Sequence, residues 1–145
     1  MPLTATNWEV EVEFKIHGSG HLHGDGFALW VTKDRATTGP VFGSKDRFEG
    51  LGVFFDTYKN NRPGITFPYV MAMIGDGQTS YDQANDGKAN EIGGCSVWPP
   101  RLIHTRWTNS DPGSRTACGS GADEGESDVL SRQILGSKAA VQVGG

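Results

Sequence analysis

The chain has 145 residues, a formal net charge of −4, 36% hydrophobic and 21% charged residues, and 21 Gly against 7 Pro. That length suits one domain, and the composition excludes collagen-like and coiled-coil chains while favouring a turn-rich all-β domain. The acidic balance offers no basic field to nucleic acid or an anionic membrane surface, and the longest apolar stretch, 69–74, is far short of the roughly twenty residues that cross a bilayer.

Residues 1–10 contain neither the cationic segment nor the apolar run of a secretory signal, so none is expected in the chain as written. Trp8, Val10, Val12, Phe14 and Ile16 alternate with Glu9, Glu11, Glu13 and Lys15, the period-two pattern of a strand with one buried and one wet face. Gly18-Ser19-Gly20 closes it. Residues 27–32 and 50–56 are short, mainly apolar runs of β-branched and aromatic side chains, as expected of strands inside a sandwich, and a polar loop separates them. Residues 67–74 and 79–81 flank Gly75-Asp76-Gly77, whose Asp-Gly pair predicts a hairpin. No long helical pattern and no fixed-period repeat is visible, which argues against solenoids and propellers.

The chain changes character after Cys95. Of 14 aromatic residues, 12 lie in 1–95, and the five basic residues of 96–145 balance its five acidic ones, so all the net charge sits in the front. With seven Gly, seven Ser and only one short helical patch at 128–135, residues 96–145 are expected to be mostly disordered. The expected division is therefore 1–95 and 96–145. Cys95 and Cys118 permit one disulfide or two free thiols.

Three constellations carry possible chemistry. In Asp56-Thr57-Tyr58-Lys59-Asn60, an extended loop points positions i and i+4 the same way, so Asp56 and Asn60 can offer oxygens to one cation. The Tyr58 carbonyl and a carboxylate from Asp86 would complete a set of hard oxygen ligands that suits Ca²⁺ and not zinc. The same Asp and Asn residues are also ordinary turn formers. An EF-hand frame starting at Asp82 fails, because Ala84 and Gly93 stand where ligands are needed. In His23-Gly24-Asp25-Gly26, two glycines around one carboxylate allow close approach by a sugar hydroxyl network, and a plain turn explains the motif as well. Glu9, Glu11 and Glu13 lie on one strand face about 7 Å apart, within reach of the roughly 5–5.5 Å separation that retaining glycosidases use. A solvated outer face accounts for them too. His17, His21, His23 and His104 follow no metal-ligand spacing, and neither a phosphate-binding Gly loop nor C-x-x-C is present.

Taken in order, Asn7-Trp8, residues 14–18, His23-Gly24-Asp25-Gly26, Ala28-Leu29-Trp30, Gly39-Pro40-Val41-Phe42-Gly43, Asp56-Thr57-Tyr58, Phe67-Pro68-Tyr69 and Ser80-Tyr81-Asp82 resemble the legume-like (L-type) animal lectins. The branch is that of the vesicular integral-membrane lectins of the early secretory pathway, and the resemblance covers about residues 7–95. It implies a concanavalin-like jelly-roll sandwich, not an enzyme, that binds Ca²⁺ and through it the mannose residues of high-mannose N-glycans on cargo glycoproteins. By the same resemblance Asp56, the Tyr58 carbonyl, Asn60 and Asp86 hold the Ca²⁺. Asp25, Tyr58, Lys59, Asn60 and Gln83 lie at the sugar, where an amide donates and a carboxylate accepts.

The chain departs from the family in several places. Gln83 stands where the family has a histidine, keeping a donor and an acceptor but losing the titrating ring. Cys95 matches a family disulfide partner whose mate lies further on than Cys118. After Ser96 the resemblance stops, so the later strands and the glycine-rich loop of the sugar site have no counterpart, nor do the strands before Trp8. The sandwich is therefore expected to be incomplete, with unpaired strand edges, in a fragment that carries a divergent tail. Placement in the lumen between endoplasmic reticulum and Golgi, and a membrane anchor, come with the family alone. Two other readings stand beside the lectin: a jelly-roll glycoside hydrolase using Glu9 and Glu13, and a nonfunctional splice fragment.

Overall fold

The computed structural model describes residues 8–14, 24–35, 37–97, 103–108, 115–120, 123–128 and 140–144, with Glu9, Glu11, Glu13 and all residues after 97 described by backbone alone. Its strands are β1 (Glu9–Phe14), β2 (Gly26–Thr32), β3 (Thr38–Val41), β4 (Glu49–Asp56), β5 (Tyr69–Asp76), β6 (Gly93–Ser96), β7 (Ile103–Thr108), β8 (Arg115–Ser120), β9 (Asp123–Asp128) and β10 (Ala140–Gly144). The one helical element among the described residues is a single 3-10 turn, Gln83–Asn85. Nine of these form a four-stranded sheet, β1-β7-β8-β9, and a five-stranded sheet, β10-β2-β4-β5-β6, with antiparallel pairing throughout, while β3 makes isolated bridges to Ser44. This is the two-sheet, concanavalin-like architecture.

Burial explains why β1 alternates while β2, β4 and β5 do not. One face of the five-stranded sheet carries Leu29, Val31, Leu51, Val53, Phe55, Val70 and Ala72, and Trp8, Val10, Val12 and Phe14 of the β1 segment pack against them. The opposite face carries Ala28, Trp30, Phe54, Tyr69, Met71 and Met73, covered by Val41 at the end of β3 and by Phe48 and Tyr81 from the connecting loops. A strand buried on both faces reads as a continuous apolar run, whereas the alternating β1 packs Val10, Val12 and Phe14 against the five-stranded sheet. Phe14, Phe27 and Phe55 lock the two sheets together, with Phe14 edge-on to both other rings at 4.9 Å and Phe27 stacked on Phe55 at 4.5 Å. Ile16 lies outside the described residues.

The hairpin expected around Asp76-Gly77 does not form. Asp76 Oδ1 accepts the N–H groups of Gln78 at 2.8 Å and Thr79 at 2.7 Å, while Gly77 donates its N–H to the Phe48 carbonyl at 2.9 Å. The Asp46 carboxylate then accepts the Tyr81 N–H at 2.9 Å and the Ser80 hydroxyl. With its backbone donors taken by side chains, 79–81 has no ladder to join, and Tyr81 packs its ring 4.9 Å from that of Phe54. β5 pairs with β4 and β6 instead.

The described parts of the second half, 96–145, contribute strands: β7 lies on β1, β8 and β9 follow, and β10 lies on the outer edge of β2. Strand pairing satisfies backbone N–H and C=O groups and asks for no aromatic side chains, so a segment poor in apolar residues can add to edges that β1 and β2 would otherwise leave open. Cys95 is disulfide-bonded, which removes the free-thiol alternative. Phe55→Ala is expected to lower the unfolding free energy by about 3–5 kcal/mol in urea denaturation. Lys33→Ala, which removes only the exposed Lys33–Glu49 pair, is expected to leave the midpoint unchanged.

Candidate functional site

Register builds the site. β2 and β4 pair so that Gly26 faces Asp56, and the Thr57 N–H donates to the Asp25 carbonyl at 2.9 Å; the start of one strand and the end of its neighbour thus meet at one end of the sheet. Glycine is required there. A Cβ on Gly24 would stand 2.7 Å from the Tyr58 Cβ, and Gly26 has φ +134 with its missing Cβ directed at the Phe55 carbonyl. The His23-Gly24-Asp25-Gly26 motif is therefore more than a turn in its last three residues; His23 lies outside the described residues.

The loop after β4 wraps a second carboxylate. Asp86 follows the 3-10 turn with a left-handed backbone, φ +51, and accepts the Asn60 N–H at 3.1 Å, the Asn60 Nδ2 amide at 2.6 Å and the Arg62 N–H at 3.3 Å. Asp56 Oδ1 accepts the Tyr58 N–H at 3.0 Å. Both acids are nearly out of water, Asp56 4% and Asp86 2% exposed. Burial pushes the Asp56 carboxyl up to about 7, and the negative charges of Asp86 and Asp25 push the same way, against the Tyr58 N–H and the Arg62 guanidinium. Burial likewise raises the Tyr81 phenol well above its ordinary value, helped by Asp56 and Asp86.

Above these acids opens a cavity of about 320 Å³ with Asp25, Asp56, Asn60 and Gln83 in its wall. Of the residues expected at the sugar, it collects Asp25, Asn60 and Gln83. It does not collect Tyr58, whose side chain packs on Gly24, or Lys59, whose Nζ donates to the Ile65 carbonyl at 3.4 Å. Among the expected metal ligands, Asp86 lies behind Asn60. The apolar wall of Pro40, Val41, Phe42 and Tyr81 was not legible as a site; its one signal is the apolar stretch Pro40-Val41-Phe42 between two glycines. Arg62, which contacts Asp86 from both its backbone and its side chain, carries no sequence signal at all.

The donor set fits a hard cation. Among the described residues no three His, Cys, Asp or Glu side chains gather, so a metal here would draw on two buried carboxylates together with amide and carbonyl oxygens. Those are the ligands of Ca²⁺ and not of zinc, and the Asp56 carboxyl is raised by burial first and by its acidic neighbours second, both of which disfavour an isolated charge there.

A model of the legume-like lectin family matches residues 1–101. The chain belongs to the legume-like lectin family. It is similar to the human VIP36-like protein, 52% identical over 101 residues, which are 67% of this chain and 29% of that protein. Human vesicular integral-membrane protein VIP36 is 50% identical over 99 residues, 66% of this chain and 28% of the relative. The chain thus spans less than a third of these relatives' length. The lumenal domain of VIP36, in a crystal structure with Ca²⁺ and Man3GlcNAc bound, superposes with a TM-score of 0.80 at 35% identity, covering 97% of this chain and 61% of that one. The more distant Emp47p carbohydrate recognition domain, 14% identical with a TM-score of 0.59 over 95% of this chain and 59% of that one, shares the fold. The family is one of carbohydrate-binding lectins and not of enzymes, so the hydrolase reading of Glu9 and Glu13 falls away.

The raised Asp56 sets a pH dependence for the metal-free fold. Its carboxyl titrates near 7 when folded against an ordinary 3.8, so between those values the folded state binds a proton that the unfolded state has lost, and stability falls as pH rises. In chelator, the urea midpoint is expected to decline from about pH 4 to pH 7 more steeply than that of Asp56→Asn. Equal slopes in the two proteins would contradict the assignment.

Proposed function

We propose that this lectin chain binds mannose residues of high-mannose N-glycans on cargo glycoproteins, through a Ca²⁺-organised site, in the lumen between endoplasmic reticulum and Golgi. The observation that carries the reading is the meeting of Asp25, Asp56, Asn60 and Gln83 around one open cavity backed by a second buried carboxylate, Asp86. The relationship to VIP36, whose lumenal domain binds Ca²⁺ and mannose oligosaccharides in crystals, supports it. The disulfide at Cys95 suits an oxidising compartment, and the name of VIP36 as a vesicular integral-membrane protein fits the same route. Among the described residues no helix is long and apolar enough to cross a membrane. Every residue of the proposed site lies within 1–95.

Asp56, Asp86, the Asn60 amide oxygen and the Tyr58 carbonyl would hold the cation. When bound, Ca²⁺ would supply the positive charge that these buried carboxylates lack. Asp25, exposed at the cavity, accepts hydrogen bonds from sugar hydroxyls, and the Gln83 amide both donates and accepts. Pro40, Val41 and Phe42 give the sugar's C–H face an apolar wall. Gln83 does not titrate, so it contributes no histidine-like pH response. Lys59, directed away from the cavity, is assigned to the outer part of a longer glycan together with Tyr58.

Calorimetric titration with a mannose oligosaccharide separates the roles. Asp25→Ala is expected to weaken sugar binding at least about tenfold by removing a charged hydrogen-bond partner, with calcium affinity unchanged. Asp56→Ala is expected to lose both. An Asp56→Ala variant that titrates calcium as the parent does would refute the ligand assignment.

A further inference from the structure

We propose that Arg62 is a positioning residue that clasps Asp86 in the metal-free protein, so that the cation-binding oxygens are assembled before the cation arrives. The proposal rests on the calcium-site reading for its consequence and on hydrogen bonds alone for its geometry. Arg62 is 8% exposed, an unusual depth for an arginine. It grips Asp86 twice: its backbone N–H donates to Asp86 Oδ2 at 3.3 Å, and its guanidinium Nη1 donates to the Asp86 carbonyl at 3.2 Å. The far end of the guanidinium is anchored in turn. Nη2 pairs with Glu91 Oε2, the Tyr69 hydroxyl donates to Glu91 Oε1 at 2.8 Å, and the Arg62 guanidinium carbon stands 4.6 Å from the centre of the Tyr69 ring.

This arrangement answers a specific need. Asp86 has a left-handed backbone, φ +51, which a residue with a Cβ adopts only when its surroundings hold it there. Its carbonyl is directed away from the turn and into the Arg62 fork, and its carboxylate is turned toward the Asn60 and Arg62 backbone. Only a planar fork can reach both the Asp86 carbonyl and Glu91; a lysine offers one point of attachment. Groups that orient a metal ligand from behind change metal affinity by about 10–100-fold, even though they never touch the ion.

The test uses the whole chain and two readouts. In chelator, amide hydrogen exchange should show the Asn60 and Arg62 N–H groups protected in the parent and exchanging at least about tenfold faster in Arg62→Lys, while amides of β2 and β4 stay unchanged. Calcium titration should give an affinity about tenfold weaker in Arg62→Lys and Glu91→Gln, measured well below the melting temperature of each. Glu91→Gln keeps the shape of the buried group and decides the matter if Arg62→Lys does not fold. Parent-like exchange at Asn60 together with parent-like calcium affinity in a folded variant would overturn the proposal, as would a uniform rise in exchange across the core. A parent that binds no calcium would sink the metal reading, and the exchange comparison in chelator would still decide whether the clasp exists.

Discussion

Two carboxylates buried at the same end of one sheet are the constraint around which this molecule is organised. Asp56 is 4% and Asp86 2% exposed, and burial, with the charge of Asp86 adding to it, holds Asp56 partly protonated near neutrality. Like charges taken out of water are unfavourable unless hydrogen bonds and opposite charge compensate them. Here backbone N–H groups from Tyr58, Asn60 and Arg62 and one guanidinium supply part of that compensation. The remainder is what a divalent cation would provide.

The scaffold supplies the rigidity the site needs. β4 runs through the middle of the five-stranded sheet between β2 and β5, so Asp56 at its end is fixed by ladder bonds on both sides, and Asp25 is carried by the neighbouring strand's entry. The loops contribute the rest: 59–62 folds over Asp86, and the end of β3 with the turn that follows brings Val41 and Phe42 to the cavity wall. Binding of a polar sugar to such a shallow, half-apolar cavity requires donors, acceptors and a flat C–H contact, and no proton transfer or nucleophile.

Much of the fold was legible. The alternation from Trp8 to Phe14 marks a strand with one buried face, and the apolar runs of β2 and β4 mark strands buried on both. The Asp-Gly hairpin was misread because side chains of Asp76 and Asp46 capture backbone donors that a second strand would need, a competition that local pattern does not reveal. The strands described in the second half pair through backbone groups at open edges, which a pattern of apolar side chains does not mark. At the site, Asp56, Asn60 and Asp25 were legible as candidates, from a spacing and from glycines that a plain turn explains as well. Arg62 and Phe42 were not, since their roles arise from a left-handed turn and a chain reversal that bring together residues distant in sequence.

The central claim is that Asp56 and Asp86 form a calcium site in this chain. Its most direct test is calorimetric titration of calcium into the chelator-treated protein near pH 6.5, repeated in buffers of different ionisation enthalpy. The account predicts one site saturating at or below about millimolar calcium, with release of a fraction of a proton as Asp56 gives up its own. A flat titration to about 10 mM, beyond the weakest calcium modules, would contradict it, and so would binding that neither depends on Asp56 nor releases protons.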